Sequence, residues 1–170
     1  MKHMEIGLSL GSNLGDRLLN LREARKRMLA TGGISLAACS PVYETEPVGV
    51  APYNREWYFL NAVLVVKTTL SLSVLAKCFK AIEREIGRDP IHQLNAPRLI
   101  DIDVIYAGDL CVHKDGMIIP HPRWSQRRFV VQPLNDVRSD LVVPGQSGPV
   151  RDVFKKLSDK HKIKLFEKEW

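Results

Sequence analysis

Residues 57–87 read WYFLNAVLVVKTTLSLSVLAKCFKAIEREIG, and the apolar pattern changes period once within them. Up to Thr68 the run is β-rich and almost continuously apolar, the mark of a strand. From Ser71 onward the apolar residues fall at Leu72, Leu75, Phe79, Ile82 and Ile86, the three-and-four spacing of one helical face. Ser71 is a suitable N-cap for that helix, and Gly87 a suitable residue to close it.

Outward from this strand–helix unit the same alternation repeats. Glu5–Ser9 reads as a first strand, and Gly11-Ser12-Asn13 breaks the pattern before Asp16, a helix N-cap. Leu18, Leu21, Met28 and Leu29 form the stripe of that helix, which Gly32-Gly33 ends. Residues 34–45 form a further β-rich run, able to pair with 57–68 as a long hairpin across EPVGVAPYNRE. Beyond Gly87 the stretch RDPIHQLNAPR has no periodicity, and a compact apolar strand follows, LIDIDVIYAG. The order β-α-β-β-α-β predicts an α/β (α+β) chain with a ferredoxin-like core. A C-terminal extension of short strands and a helix is expected after it. This comprises an extended stretch around Met117–Ile119, the segment RRFVVQPL, and an amphipathic helix carrying Val150, Val153, Phe154 and Leu157.

The chain has 170 residues, without repeats or low-complexity linkers, so one domain spanning 1–170 is expected. No apolar run has the length of a membrane span, and the first residues lack signal-peptide features, so a cytoplasmic protein is expected. Met1–His3 are given no role. Cys39, Cys78 and Cys111 are odd in number and widely spaced, which fits neither a disulfide framework nor a metal knuckle. The net charge of +6 is compatible with a nucleotide ligand, but it is dispersed and does not require one.

The sharpest chemical signal is Asp101-Ile102-Asp103 inside the apolar strand. Alternation puts both carboxylates on one face and Ile100, Ile102 and Val104 on the other. The pair is either a set of solvated acids at a strand end or a hard-oxygen ligand set for Mg²⁺, which also takes substrate phosphates. Arg98 and Arg88 lie close enough in sequence to neutralise the remaining oxygens of a polyphosphate, although an arginine taken singly is more often a surface or ion-pair residue. No G-x-x-x-x-G-K-[ST] loop and no kinase signature occur, so a nucleotide enzyme here belongs to another type. Gly11-Ser12-Asn13 reads as turn-building before phosphate-binding. Phe59 and Asn61 point the same way from their strand, where a flat heterocycle could stack and hydrogen-bond, with Phe129 as an opposite wall. The bland alternative puts both rings in the core.

Taken in order, LSLGSNLGDR, VYETEPVG, FLNAV, AIEREIGR, APRLIDIDVIYAGD, IIPHP and RRFVVQPL resemble the 6-hydroxymethyl-7,8-dihydropterin pyrophosphokinase family over nearly the whole chain. The resemblance implies transfer of the β,γ-pyrophosphoryl group of ATP to the pterin's primary alcohol with release of AMP, in folate biosynthesis. It implies two Mg²⁺ ions held by Asp101 and Asp103. Arg88, Arg98, His121 and Arg127 would meet the phosphates, and Glu83 would lie on the nucleotide side. Phe59 and Phe129 would sandwich the pterin, and Asn61 would read its guanine-like edge, helped by backbone at Thr45 and Val48. The partners implied are the two small substrates, with no nucleic acid and no membrane, and a monomer is expected. The chain departs from the family pattern at Asn95, where many members carry tryptophan, at Pro90, where many carry arginine, and at Glu46, where proline is common. Segments Pro47–Glu56 and Asp89–Pro97 are expected to act as lids ordered by ATP. Two rival readings are an RNA-binding module, which lacks the paired sheet aromatics it would need, and a D-x-D transferase acting on another nucleotide.

Overall fold

The structure is a computed structural model that describes residues 3–47, 57–87, 97–114, 116–159 and 161–170. Its core alternates as expected: β1 (Met4–Ser12), α1 (Arg17–Ala30), β2 (Ile34–Cys39), β3 (Val42–Thr45), β4 (Phe59–Thr68), α2 (Leu72–Ile86) and β5 (Asp101–Ala107). The main sheet runs in the order β5-β1-β4-β3, with β2 also pairing β4. Counting β2 and β3 as one broken strand, this is the antiparallel ferredoxin-like arrangement.

Local chemistry explains the helices. The Asp16 side chain accepts the Leu19 N–H to cap α1, and Ser71 does the same for Val74 at α2. Gly87 ends α2 at φ 110°, where a side chain would be strained. Both helices cover one face of the sheet. Leu21, Ala24 and Met28 of α1 and Leu75, Phe79 and Ile82 of α2 bury against Ile6, Leu8, Leu10, Leu60, Ala62, Leu64, Ile100 and Ile102.

Three expectations are revised. β1 runs past Ser9 to Ser12, so Gly11 and Ser12 are strand residues, Gly11 paired with both β4 and β5 and Ser12 with β4. The run 34–45 is two strands, broken at Ser40-Pro41. The break stays tied to β4 because Val63 accepts the Ser40 N–H (2.9 Å) while the Ser40 hydroxyl accepts the Val63 N–H (2.8 Å). The extension also holds more than short strands and one helix. After the hairpin of β6 (Val112–Lys114) and β7 (Met117–Ile119) comes a 3-10 turn at Trp124–Gln126. RRFVVQPL then forms most of α3 (Arg128–Arg138), followed by α4 (Val150–Lys156) and β8 (Ile163–Glu167). α3 lies on the opposite face of the sheet, where Val130, Val131 and Leu134 meet Val63, Val65, Ile105 and Tyr106, and α4 adds Val150. β8 pairs with β3 and forms the sheet's outer edge.

Candidate active site

On this second face α3 and α4 pack around Val63, Val65, Ile105 and Tyr106, and beyond them lies the end of β1 that feeds α1. Strand register fixes what stands there. Asp101 of β5 faces Gly11 of β1, Gly11 faces Asn61 of β4, and Asn61 faces Tyr43 of β3. One row therefore runs from carboxylate to amide across a residue with no side chain. The Asp101 and Asn61 backbones are two strand spacings apart, about 10 Å. In the next row Asp103 faces Ser9, and Ser9 faces Val63, which α3 already covers. The two carboxylates do share a face, while Ile102 and Val104 belong to the cluster under α1 and α2.

The acidic end is ringed by cations. The Arg98 guanidinium donates to Asp101 Oδ2 at 2.6 Å. Arg98 is itself latched to the end of β1: Asn13 Oδ1 accepts its N–H at 2.7 Å, and its carbonyl accepts the Asn13 N–H at 3.1 Å. Asn13 is buried, so the Gly11-Ser12-Asn13 segment serves as strand end and latch. His121 hangs from β5 through its N–H to the Ile105 carbonyl at 2.8 Å. Burial pushes the His121 proton affinity below the usual imidazole range, and the charges of Arg127 and Arg123 push it further the same way. The Arg127 proton affinity is lowered mainly by burial and then by Arg123, against the pull of Asp103 and Asp101. These side chains feel one another's charge across a single site.

At the other end, Asn61 and Thr45 are buried, and the Asn61 amide nitrogen donates to Thr45 Oγ1 at 2.7 Å. Thr45 thus meets Asn61 through its hydroxyl. A Cβ on Gly11 would lie 3.2 Å from Asn61 Oδ1 and 3.9 Å from a Phe59 ring carbon, so those groups stand over a flat floor. Phe129 sits in the first turn of α3, half-buried against the second cluster, with the Arg127 guanidinium 5.5 Å from its ring centre.

Glu83 lies on α2 and is buried. Its Oε1 accepts the Ile102 N–H at 2.8 Å, so it grips the strand between the two aspartates. Val48, Arg88, Pro90 and Asn95 fall outside the described residues, as do almost all of the two expected lids. Arg123 was not singled out in the sequence, although PHPRW places it two residues after His121.

The donor set fits magnesium in a specific way. Among the described residues, no group of three or more His, Cys, Asp or Glu could hold an ion by themselves. Two hard carboxylates on one face suit a cation that keeps several waters and takes its other oxygens from a phosphate chain.

A family sequence model described as 7,8-dihydro-6-hydroxymethylpterin-pyrophosphokinase (HPPK) matches residues 7–139. The relative named 2-amino-4-hydroxy-6-hydroxymethyldihydropteridine pyrophosphokinase from Methylorubrum extorquens is 36% identical over 150 residues, which cover 88% of this chain and 91% of its own. Folic acid synthesis protein fol1 of Pneumocystis carinii is 36% identical over 157 residues, 92% of this chain. The chain spans only 20% of the length of that relative, and 24% of a mitochondrial folate synthesis bifunctional protein of Arabidopsis thaliana. Among solved structures, wild-type Plasmodium falciparum HPPK-DHPS with SDX-DHP superposes with a TM-score of 0.72 at 15% identity, covering 91% of this chain and 44% of that one. That likeness is one of fold. Because the matched stretch runs from β1 through α3 and so contains every element that carries the site, the chain belongs to the 7,8-dihydro-6-hydroxymethylpterin-pyrophosphokinase family.

Proposed function

We propose that this chain transfers the β,γ-pyrophosphoryl group of ATP to the hydroxymethyl oxygen of 6-hydroxymethyl-7,8-dihydropterin, releasing AMP, as a step of folate synthesis. The observation that carries the reading is the row Asp101–Gly11–Asn61, a carboxylate and an amide at the two ends of a row whose middle residue has no side chain, which supports a site with an acidic end and a ring-binding end.

On this reading Asn61, its amide oriented by Thr45, binds the heterocycle's polar edge, while Phe59 and Phe129 press its faces. That fixes the direction of the hydroxymethyl arm, which extends along the row toward Asp101 and Asp103. Arg98, His121 and Arg127 hold the triphosphate over the same end, so the hydroxyl oxygen and the β-phosphorus are brought into line. The new bond joins that oxygen to the β-phosphorus, and the bond from the β-phosphorus to the α,β-bridging oxygen breaks. Asp101 and Asp103 would hold two Mg²⁺ ions, whose charge, when bound, offsets that of the phosphate oxygens and acidifies the hydroxyl. The Arg98 guanidinium, now on Asp101, is assigned to offset the departing charge as well. Arg88 is assigned to the phosphates and Val48 to the pterin edge, on the family resemblance. One chain supplies both ends of the row, which supports action as a monomer.

The test is AMP release with the pterin alcohol, in magnesium and in chelator, with phosphorus NMR of the second product. Asp101→Asn and Asp103→Asn are expected to lower kcat/KM at least about 10³-fold while leaving the circular dichroism spectrum unchanged. Unaltered turnover in either variant would sink the assignment.

A further inference from the structure

We infer that Asp159, on the loop between α4 and β8, is a positioning residue for the ring-and-phosphate wall formed by Arg127 and Phe129. The inference rests on the proposed pterin pyrophosphokinase reading. α3 begins without a cap of its own. Arg127 occupies the N-cap position in extended geometry, and its side chain makes no capping hydrogen bond. The acceptor comes from 31 residues downstream: Asp159 Oδ2 accepts the Arg128 N–H at 2.8 Å. Helix-starting N–H groups need such a partner, and a carboxylate there is also favoured by the helix dipole.

Asp159 is built into this position. Its side chain is only 10% exposed, and its other oxygen, Oδ1, accepts the His161 N–H at 2.9 Å and contacts the His161 ring. Two residues beyond His161 the chain enters β8, which is hydrogen-bonded to β3, the strand that carries Thr45. The carboxylate therefore ties the start of α3 to the sheet edge bordering the amide end of the site. Arg127 and Phe129 flank the capped residue on either side, so a frayed first turn displaces both together. The far end of α3 has an independent tie, since Arg138 donates to Glu5 Oε1 at 3.1 Å and Oε2 at 2.9 Å. Among the described residues, none of those assigned to the site sits at that end.

This asymmetry gives the experiment. AMP-release kinetics are compared for wild type, Asp159→Ala, Asp159→Asn and Glu5→Gln. Asp159→Ala is expected to raise the KM for the pterin about tenfold and the KM for ATP with it, because Phe129 and Arg127 move together, while kcat changes less. The Arg128 amide should then exchange faster. Asp159→Asn, which keeps an acceptor oxygen, recovers most of the loss. Glu5→Gln, which loosens the other end of the same helix, lowers Tm and leaves the pterin KM unchanged. Should Asp159→Ala not fold, Asp159→Glu, whose carboxylate is displaced by one methylene, replaces it with the same expectation in the same direction. An active wild type with an unchanged pterin KM in the folded variant overturns the inference alone. Equal rises in KM for Asp159→Ala and Glu5→Gln would mean general loosening and also overturn it. A wild type that releases no AMP removes the proposed function, and this inference with it.

Discussion

Thr45 and Asn61 are both buried and bonded to each other, and the direction of that bond decides what the site can recognise. With its amide nitrogen committed to Thr45 Oγ1, Asn61 turns its oxygen over Gly11, and on the proposed function that oxygen accepts from the pterin's amino or ring N–H. Thr45→Val keeps the shape and removes the acceptor, leaving the amide free to rotate and a buried N–H unsatisfied. Losing such a partner costs about 1–3 kcal/mol, so pterin affinity measured by titration should fall roughly tenfold or more. Thr45→Ser should restore most of it. The floor beneath them must stay flat: a methyl group at Gly11 would press on the very oxygen the ligand uses.

Among the elements, β5 presents the acidic pair and α2 holds it in place. The Glu83 carboxylate is buried and accepts the Ile102 N–H from the strand segment between the aspartates. Glu83→Ala should lower stability in urea by about 1.5–3 kcal/mol and, on the proposed function, also lower kcat, because both carboxylates ride on the strand that is released. A loss of stability without loss of turnover would show that β5 keeps its register unaided. α2 was fully legible in the sequence, because Ser71, the apolar stripe and Gly87 are all local signals. The acidic pair and the neighbouring Arg98 were legible for the same reason, two and three residues being distances that strand and loop geometry control. RRFVVQPL was not read as a helix: its adjacent valines and Pro133 argue against one, and burial of Val130, Val131 and Leu134 on the sheet prevails. β8 was missed because its residues are mostly solvated and alternate weakly; pairing with β3 makes it a strand. The Asn13 latch and the Asp159 cap link residues far apart in sequence, which no local pattern records.

Across the whole molecule, two apolar clusters sandwich one sheet, and Glu5 joins the α3 side to β1. The Glu5 carboxylate accepts from Arg138 and from the Tyr106 hydroxyl (2.8 Å). The Arg138 hydrogen bond, outweighing partial burial, holds the Glu5 carboxyl below the usual range. A depressed folded value means the ionised form favours folding. The contribution is complete above the unfolded carboxyl's titration and is lost as pH falls through the depressed one. Glu5 is partly exposed, which weakens the effect by solvent screening. Thermal unfolding followed from neutral to acid pH should therefore show a smaller fall in Tm for Glu5→Gln than for wild type, from a lower starting value.

The family match stops at residue 139, yet the segment after it supplies α4, the acceptor for α3, the outer strand β8, and Trp170. The indole of Trp170 is buried in the first cluster, donates to the Ser40 carbonyl at 2.8 Å and lies under the Arg25 guanidinium. Trimming the chain to its matched stretch would bare β3 as a row of unpaired backbone donors and acceptors, open to recruitment by the same row on another molecule. Light scattering should show the trimmed chain self-associating more than the full chain does. The tail is then as much a guard against aggregation as a support for the site.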